Sequence, residues 1–217
     1  VAAPGEHGEQ HIDGGKADMK QKVASYIDKN CTLNQEFSFA HPICRMQLNK
    51  IYNCHFTGCQ IWDLFSQGAM KFYSTYNRSV KVMADLPYAS HRYLIEPLSG
   101  QQHMSITLIR NFLGFINKIK QSAKPVLRQL YSITKDDVRT TTGSNLRNIL
   151  LQTGLSGVDD LHPGIVKQIK YEEIKEMDMW RIPIIKEAID IKCGNVNPPD
   201  GWTAEELDEI LTFACTD

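Results

Sequence analysis

The chain has 217 residues, 42% of them hydrophobic and 23% charged, with a net charge of −1. That is enough apolar material for a packed core without disulfide or metal staples, and it excludes a wholly disordered segment. No apolar run approaches the roughly 20 residues needed to cross a bilayer. The opening stretch VAAPGEHGEQHIDGG also lacks the basic start and apolar stretch of a secretory leader, so the expected setting is cytoplasmic or nuclear, with no membrane partner. The chain begins without Met, which suggests a fragment or a processed product.

Taken in order, residues 1–15 are glycine-rich and without period, and read as loop. From Lys16 to Asp28, Met19, Val23, Tyr26 and Ile27 share one helical face, and Cys31 to Ala40 reads as a connector. Pro42 suits the first turn of a helix running to about His55, with Gly58 as its stop. A short helix is expected over Gln60–Ser66. Ala69, Phe72, Tyr73, Tyr76, Val80 and Met83 then follow the i, i+3, i+4, i+7 rule up to Pro87, leaving Arg78 and Lys81 off the stripe and exposed.

After a turn around His91, the longest helix is expected over Gln102–Gln121, with Met104, Leu108, Phe112, Phe115, Ile116 and Ile119 inward. Pro125 opens a helix to about Lys135 that points Leu127, Leu130 and Tyr131 inward. Ser144 is placed to cap a short helix stopped by Gly154. Helices over Pro163–Lys175 and Arg181–Lys192 follow, the second ending at Gly194. Thr203 and Glu206 form a capping box for the last helix, and Trp202 can staple to Leu207. Strand signals are scarce, so the expected fold is all-α, an irregular bundle of about eight to ten helices.

Charge is unevenly distributed. Residues 1–70 hold 6 basic and 7 acidic side chains, residues 71–150 hold 12 against 4, and residues 151–217 hold 6 against 14. A basic middle suits a polyanion, and an acidic end suits a second partner, unless the two halves simply face each other.

No catalytic set can be assembled. The acidic pairs Asp136-Asp137 and Asp159-Asp160 lack flanking strands and a third carboxylate, and read as residues of helix ends. Cys44, Cys54, His55 and Cys59 do not have zinc-finger spacing and their thiols read as small and half-buried, while the six irregularly spaced cysteines as a set read as reduced. No metal or cofactor is therefore expected. The segment Arg139-Thr140-Thr141-Thr142-Gly143-Ser144-Asn145-Leu146-Arg147 sets hydroxyls, a glycine and a helix start between two arginines. It admits two readings, a phosphate site and an ordinary cap with a turn.

Several blocks, in order, resemble the region downstream of the polymerase core in reverse transcriptases of LINE-type (non-LTR) retrotransposons. They are Asn34-Gln35-Glu36-Phe37 through Pro42, Ile51-Tyr52-Asn53-Cys54-His55-Phe56-Thr57-Gly58 and Trp62-Asp63-Leu64-Phe65. Tyr76-Asn77-Arg78-Ser79-Val80-Lys81, Asp85-Leu86-Pro87, His91-Arg92, Asp137-Val138-Arg139, Thr142 to Arg147, Trp180-Arg181 and the terminal Cys215-Thr216-Asp217 continue the match.

The resemblance implies residues 16–90 as a thumb-like helical region, 91–160 as a basic helical extension and 161–217 as an acidic C-terminal helical region. Residues 1–15 would be the remnant of a primer-grip β-hairpin, of which GEHGEQHIDGG keeps only a trace. The metal-binding palm precedes this region in the family, and a thumb without a palm cannot polymerise.

The implied partner is RNA or an RNA–DNA duplex, gripped through phosphates. Arg78, Lys81, His91 and Arg92 would face template and primer. Arg110, Lys118, Lys120, Lys124, Arg128, Arg139 and Arg147, with Thr142, Gly143, Ser144 and Asn145, would form the RNA surface of the extension. The alternative function is a mobile-element remnant acting as a helical interaction module, with the acidic C-terminus as its protein-partner surface.

Overall fold

The computed structural model describes residues 14–53, 56–100, 102–168, 179–199 and 202–216. Residues 1–13, Cys54, His55 and residues 169–175 of the helix expected over Pro163–Lys175 lie outside them. Among the described residues there are nine α-helices and no strand: an all-α bundle, as the periodicity predicts.

Helix α1 (Gly14–Glu36) is the longest, eight residues beyond its expected end. Its stripe continues through Asn30 and Leu33, both buried, and the polar Asn30 hides the continuation from a hydrophobic reading. Burial is tolerated because the Asn30 amide donates to the Tyr26 carbonyl at 2.7 Å. Helix α2 (Pro42–Asn53) starts on Pro42, and His41 accepts the Ile43 N–H through Nδ1 at 3.3 Å, a cap at the second helical position.

The helix expected over Gln60–Ser66 is instead a 3-10 turn, Cys59–Ile61, followed by extended chain at Trp62. Ser66 then caps α3 (Gln67–Met83) by accepting the Ala69 N–H at 3.2 Å. The six predicted inward residues of α3 are all buried. Its end is set before Pro87, by Asp85, whose φ of 53° turns the chain out of the helix. The Leu86 N–H closes this turn on the Lys81 carbonyl at 3.0 Å. Only glycine, or an Asn or Asp with a local partner, adopts that conformation readily. Here the Asp85 carboxylate is held by Arg45, which also donates to Asn34 at 3.2 Å and so ties α1, α2 and the end of α3 together.

A 3-10 turn (Arg92–Leu94) leads into the short α4 (Ile95–Ser99), where the sequence pattern suggests only a turn. Helix α5 (Met104–Lys120) is buried on more than its predicted stripe, since Ser105, Ile106, Ile109 and Leu113 are covered as well; Phe115 stays exposed. It packs on α3, on α6 (Pro125–Thr134) and on the 3-10 turns Cys59–Ile61 and Pro163–Gln168. Helix α7 (Thr141–Thr153) ends at Gly154 in the left-handed conformation.

Helices α8 (Arg181–Lys192) and α9 (Ala204–Thr216) pack on each other. Both halves of the predicted capping box form. The Thr203 N–H donates to Glu206 at 2.8 Å, and the Glu206 N–H donates to Thr203 Oγ1 at 3.2 Å.

One connected core runs from Met19 in α1 through Phe72, Phe112, Leu146 and Ile185 to Cys215 in α9. Its densest part is aromatic: Phe72 lies edge-on to Tyr26 (5.5 Å), Phe56 (5.3 Å) and Trp62 (6.3 Å). Each such side chain, fully covered, contributes about 2–3 kcal/mol. The C-terminal helix is drawn back to the middle of the chain by the His91 N–H, which donates to the Cys215 carbonyl at 2.9 Å.

Candidate nucleic-acid interface

The segment between the two arginines is built around Thr140. Its Oγ1 lies 3.1 Å from the Thr134 carbonyl and 2.7 Å from the Asp137 carbonyl, and it accepts the Gly143 N–H at 3.0 Å. Thr140 is therefore the cap, and α7 begins one turn earlier than a cap at Ser144 predicts. Gly143 is buried where the chain doubles back, and a Cβ there would stand 2.3 Å from the Asp137 carbonyl oxygen. Asn145 is fully buried, with its amide bonded to the backbone of Trp62 and Leu64. Thr142 and Ser144 are half-buried. The arrangement serves the cap-and-turn role directly, and Gly143 and Asn145 act inside the fold.

Arg139 bends back on Asp137. Its Nε donates to Oδ1 at 2.9 Å and its terminal nitrogen to Oδ2 at 3.0 Å, although the guanidinium is 88% exposed. That hydrogen bonding holds the Asp137 carboxyl below the usual carboxylate range. Lys120 and Lys135 converge on Asp159 at 3.4 and 3.5 Å and depress its pKa in the same way, Lys120 first. The ends of α5 and α6 are thereby joined to the turn Val158–Asp160. One aspartate of each acidic pair, Asp137 and Asp159, is thus a structural partner of basic residues, and among the described residues no group of three metal-ligating side chains exists. Cys59 is fully buried and its thiol is pushed up to about 11 by burial; Cys44 is exposed, not half-buried as expected, and Cys31 and Cys193 are exposed as well.

The thumb-side candidates also have structural duties. Arg78 lies 5.7 Å over the Tyr88 ring, and Lys81 donates to the Tyr88 carbonyl at 3.1 Å, so both brace the turn after α3. Lys81 is half-buried, which lowers its pKa. His91 stacks on Tyr93 at 4.9 Å, and Arg110 donates to Gln102. Arg92 is exposed.

Of the predicted contact residues, the side chains of Lys118, Lys124, Arg128 and Arg147 are exposed with no ion pair, hydrogen bond or ring contact among the described residues, a state shared outside that set by Lys20, Lys29, Lys50, Lys71 and Lys186. Lys118, Lys124 and Arg128 cluster in sequence around the turn from α5 to α6, and Arg147 projects from α7, whose start is bonded to the end of α6. Helix α6 departs from the inward face expected of it. Of the apolar residues on α6 only Tyr131 is buried, while Val126 is 72%, Leu130 56% and Ile133 66% exposed. Leu127 is not inward either. The apolar arc of α6 is wider than its contact with α5, so one edge reaches the core and the rest faces solvent. The other missed surface is a groove between α8 and α9, where Trp180 and Phe213 sit 6.2 Å apart beside Ile184 and Ile210.

No protein-family model matches the chain, nor does any curated protein or solved structure.

Proposed function

We propose that this chain binds RNA or an RNA–DNA duplex through its phosphates, as the non-catalytic thumb and C-terminal part of a LINE-type retrotransposon polymerase in the cytoplasm or nucleus. The observation that carries the reading is the set of unpartnered, exposed cations Lys118, Lys124, Arg128 and Arg147 on α5, α6 and α7. Cations free of carboxylates keep their counterions until a polyanion displaces them, and that release drives salt-sensitive binding. Helices meet an A-form duplex by shape and backbone contact and need no base-reading loop. The residue blocks resembling the retrotransposon enzymes supply the rest of the argument. No reaction is assigned to these residues; their role is to grip.

The test is binding to an RNA hairpin and to an RNA–DNA duplex across a salt series. Wild type is expected to bind with a steep salt dependence. Changing Lys118, Lys124, Arg128 and Arg147 together to Gln is expected to weaken binding roughly tenfold or more and to flatten the slope by about 0.7–0.9 for each phosphate no longer neutralised. Folded protein that does not bind at low salt sinks the reading.

A second reading, a mobile-element remnant serving as a helical interaction module, is favoured by the exposed aromatic groove between α8 and α9.

A further inference from the structure

The groove between α8 and α9 is lined by Trp180, Ile184, Ile210, Phe213, Ala214 and Glu209. Phe213 is 55% and Trp180 44% exposed, so two large rings stand half in water. Glu187 lies one turn beyond Ile184 and Glu206 one turn before Ile210, both exposed, which gives the apolar floor an acidic border. Such a floor suits an amphipathic helix with apolar residues at i, i+4 and i+7. The chain itself displays that spacing: α6 presents Val126, Leu130 and Ile133, with Leu127 beside them, while Arg128 projects from the other side of the helix, toward Tyr131. Both surfaces are exposed in the same molecule, so they do not cover each other within one copy.

We infer that the α8–α9 groove of one copy takes α6 of a second copy, in a head-to-tail contact that sets the acidic region of one chain on the basic region of the next. Segment charge supports this occupant, because residues 71–150 carry 12 basic against 4 acidic side chains and residues 151–217 the reverse imbalance of 6 against 14. The inference rests on the interaction reading of the groove and not on the RNA reading. A contact between two different surfaces does not close on itself, so assembly continues beyond a dimer unless geometry forms a ring.

Sedimentation velocity of the full chain over a range of concentrations, at low and high salt, tests this. Wild type is expected to assemble with concentration, less so at high salt. Phe213→Glu spoils the groove and Leu130→Glu spoils the α6 face, and each alone is expected to weaken assembly roughly tenfold or more. Mixed together, the two variants are expected to form a one-to-one dimer, because each retains the surface the other has lost. Glu209→Lys, which leaves the apolar floor in place, is expected to weaken assembly as well.

A wild type that stays monomeric overturns the inference, as does a mixture of the two variants that stays monomeric while both are folded by circular dichroism. RNA binding by Phe213→Glu separates the two ideas. Retained RNA binding with lost assembly supports the groove as a separate surface, and assembly by a wild type that never binds RNA supports the inference while sinking the phosphate reading.

Discussion

The side chain of Asn145 replaces a strand partner for Leu64: its carbonyl oxygen accepts the Leu64 N–H at 3.0 Å while its amide donates to the Trp62 carbonyl at 2.8 Å. One fully buried amide thus satisfies the backbone on both sides of Asp63 and fastens α7 to the extended chain before α3. Asn145→Leu would strand a buried donor and a buried acceptor at once. The expected loss is about 3 kcal/mol, since each unmet buried group costs roughly 1–3 kcal/mol. Urea unfolding checks it, and a loss below about 1 kcal/mol would mean that water replaces the amide.

Gly143→Ala tests the close approach between α7 and the turn before it. In an open helix this change gains about 1 kcal/mol. Here the added methyl would stand 2.3 Å from the Asp137 oxygen and 2.8 Å from that of Thr134, both backbone atoms that cannot swing away. Overpacking costs about 1–3 kcal/mol and is expected to win, lowering the thermal midpoint. A raised midpoint would show that the turn yields freely.

His103 makes stability depend on pH. Its Nδ1 accepts the Ser105 N–H at 3.2 Å to cap α5, and its ring meets Tyr73 at 5.8 Å and Tyr76 at 6.1 Å. Burial, with a smaller push from Arg92, lowers its pKa to about 4 from an ordinary 6.5. The folded state therefore resists the proton that the unfolded chain accepts. This stability is fully present above pH 6.5, falls as pH drops, and is lost by about pH 4. The loss should amount to about 3 kcal/mol at most. His103→Asn, which keeps an acceptor at the cap, should flatten the profile across that window in denaturant titrations.

Arg139 and Arg147 should differ as RNA contacts although they bracket the same segment. Arg139 is already neutralised by Asp137, and Arg147 is not. Asp137→Asn is expected to tighten RNA binding several-fold and to steepen the salt slope by up to about 0.9. Unchanged affinity would mean that Arg139 lies off the binding face.

Much of the fold is legible where one period governs a whole helix. The stripe of α3, the bounds of α8 and the capping box of α9 follow from residues local to each element. The sequence misleads where a distant residue decides. Asn30 interrupts the α1 pattern because its partner is backbone, and Asp85 ends α3 in a role that glycine usually fills because Arg45, 40 positions earlier, holds its carboxylate. The candidate site is legible as composition only. Lys118, Lys124, Arg128 and Arg147 look no different in sequence from Lys120 or Arg139; the carboxylates that separate them, Asp159 and Asp137, are assigned by folding.

Helix α6 is ten residues long and buries one of them. Helices shorter than about 12–15 residues are marginal in water, so Tyr131 and the turns at either end hold it shut almost alone. Its amides should therefore exchange with solvent through local opening, far faster than those of α3 or α5 and with little dependence on denaturant. Any ligand that seats on α6 must first stop this breathing, and the free energy of doing so is deducted from its affinity. A substitution that stiffens α6 without touching a ligand would strengthen binding by supplying that order in advance.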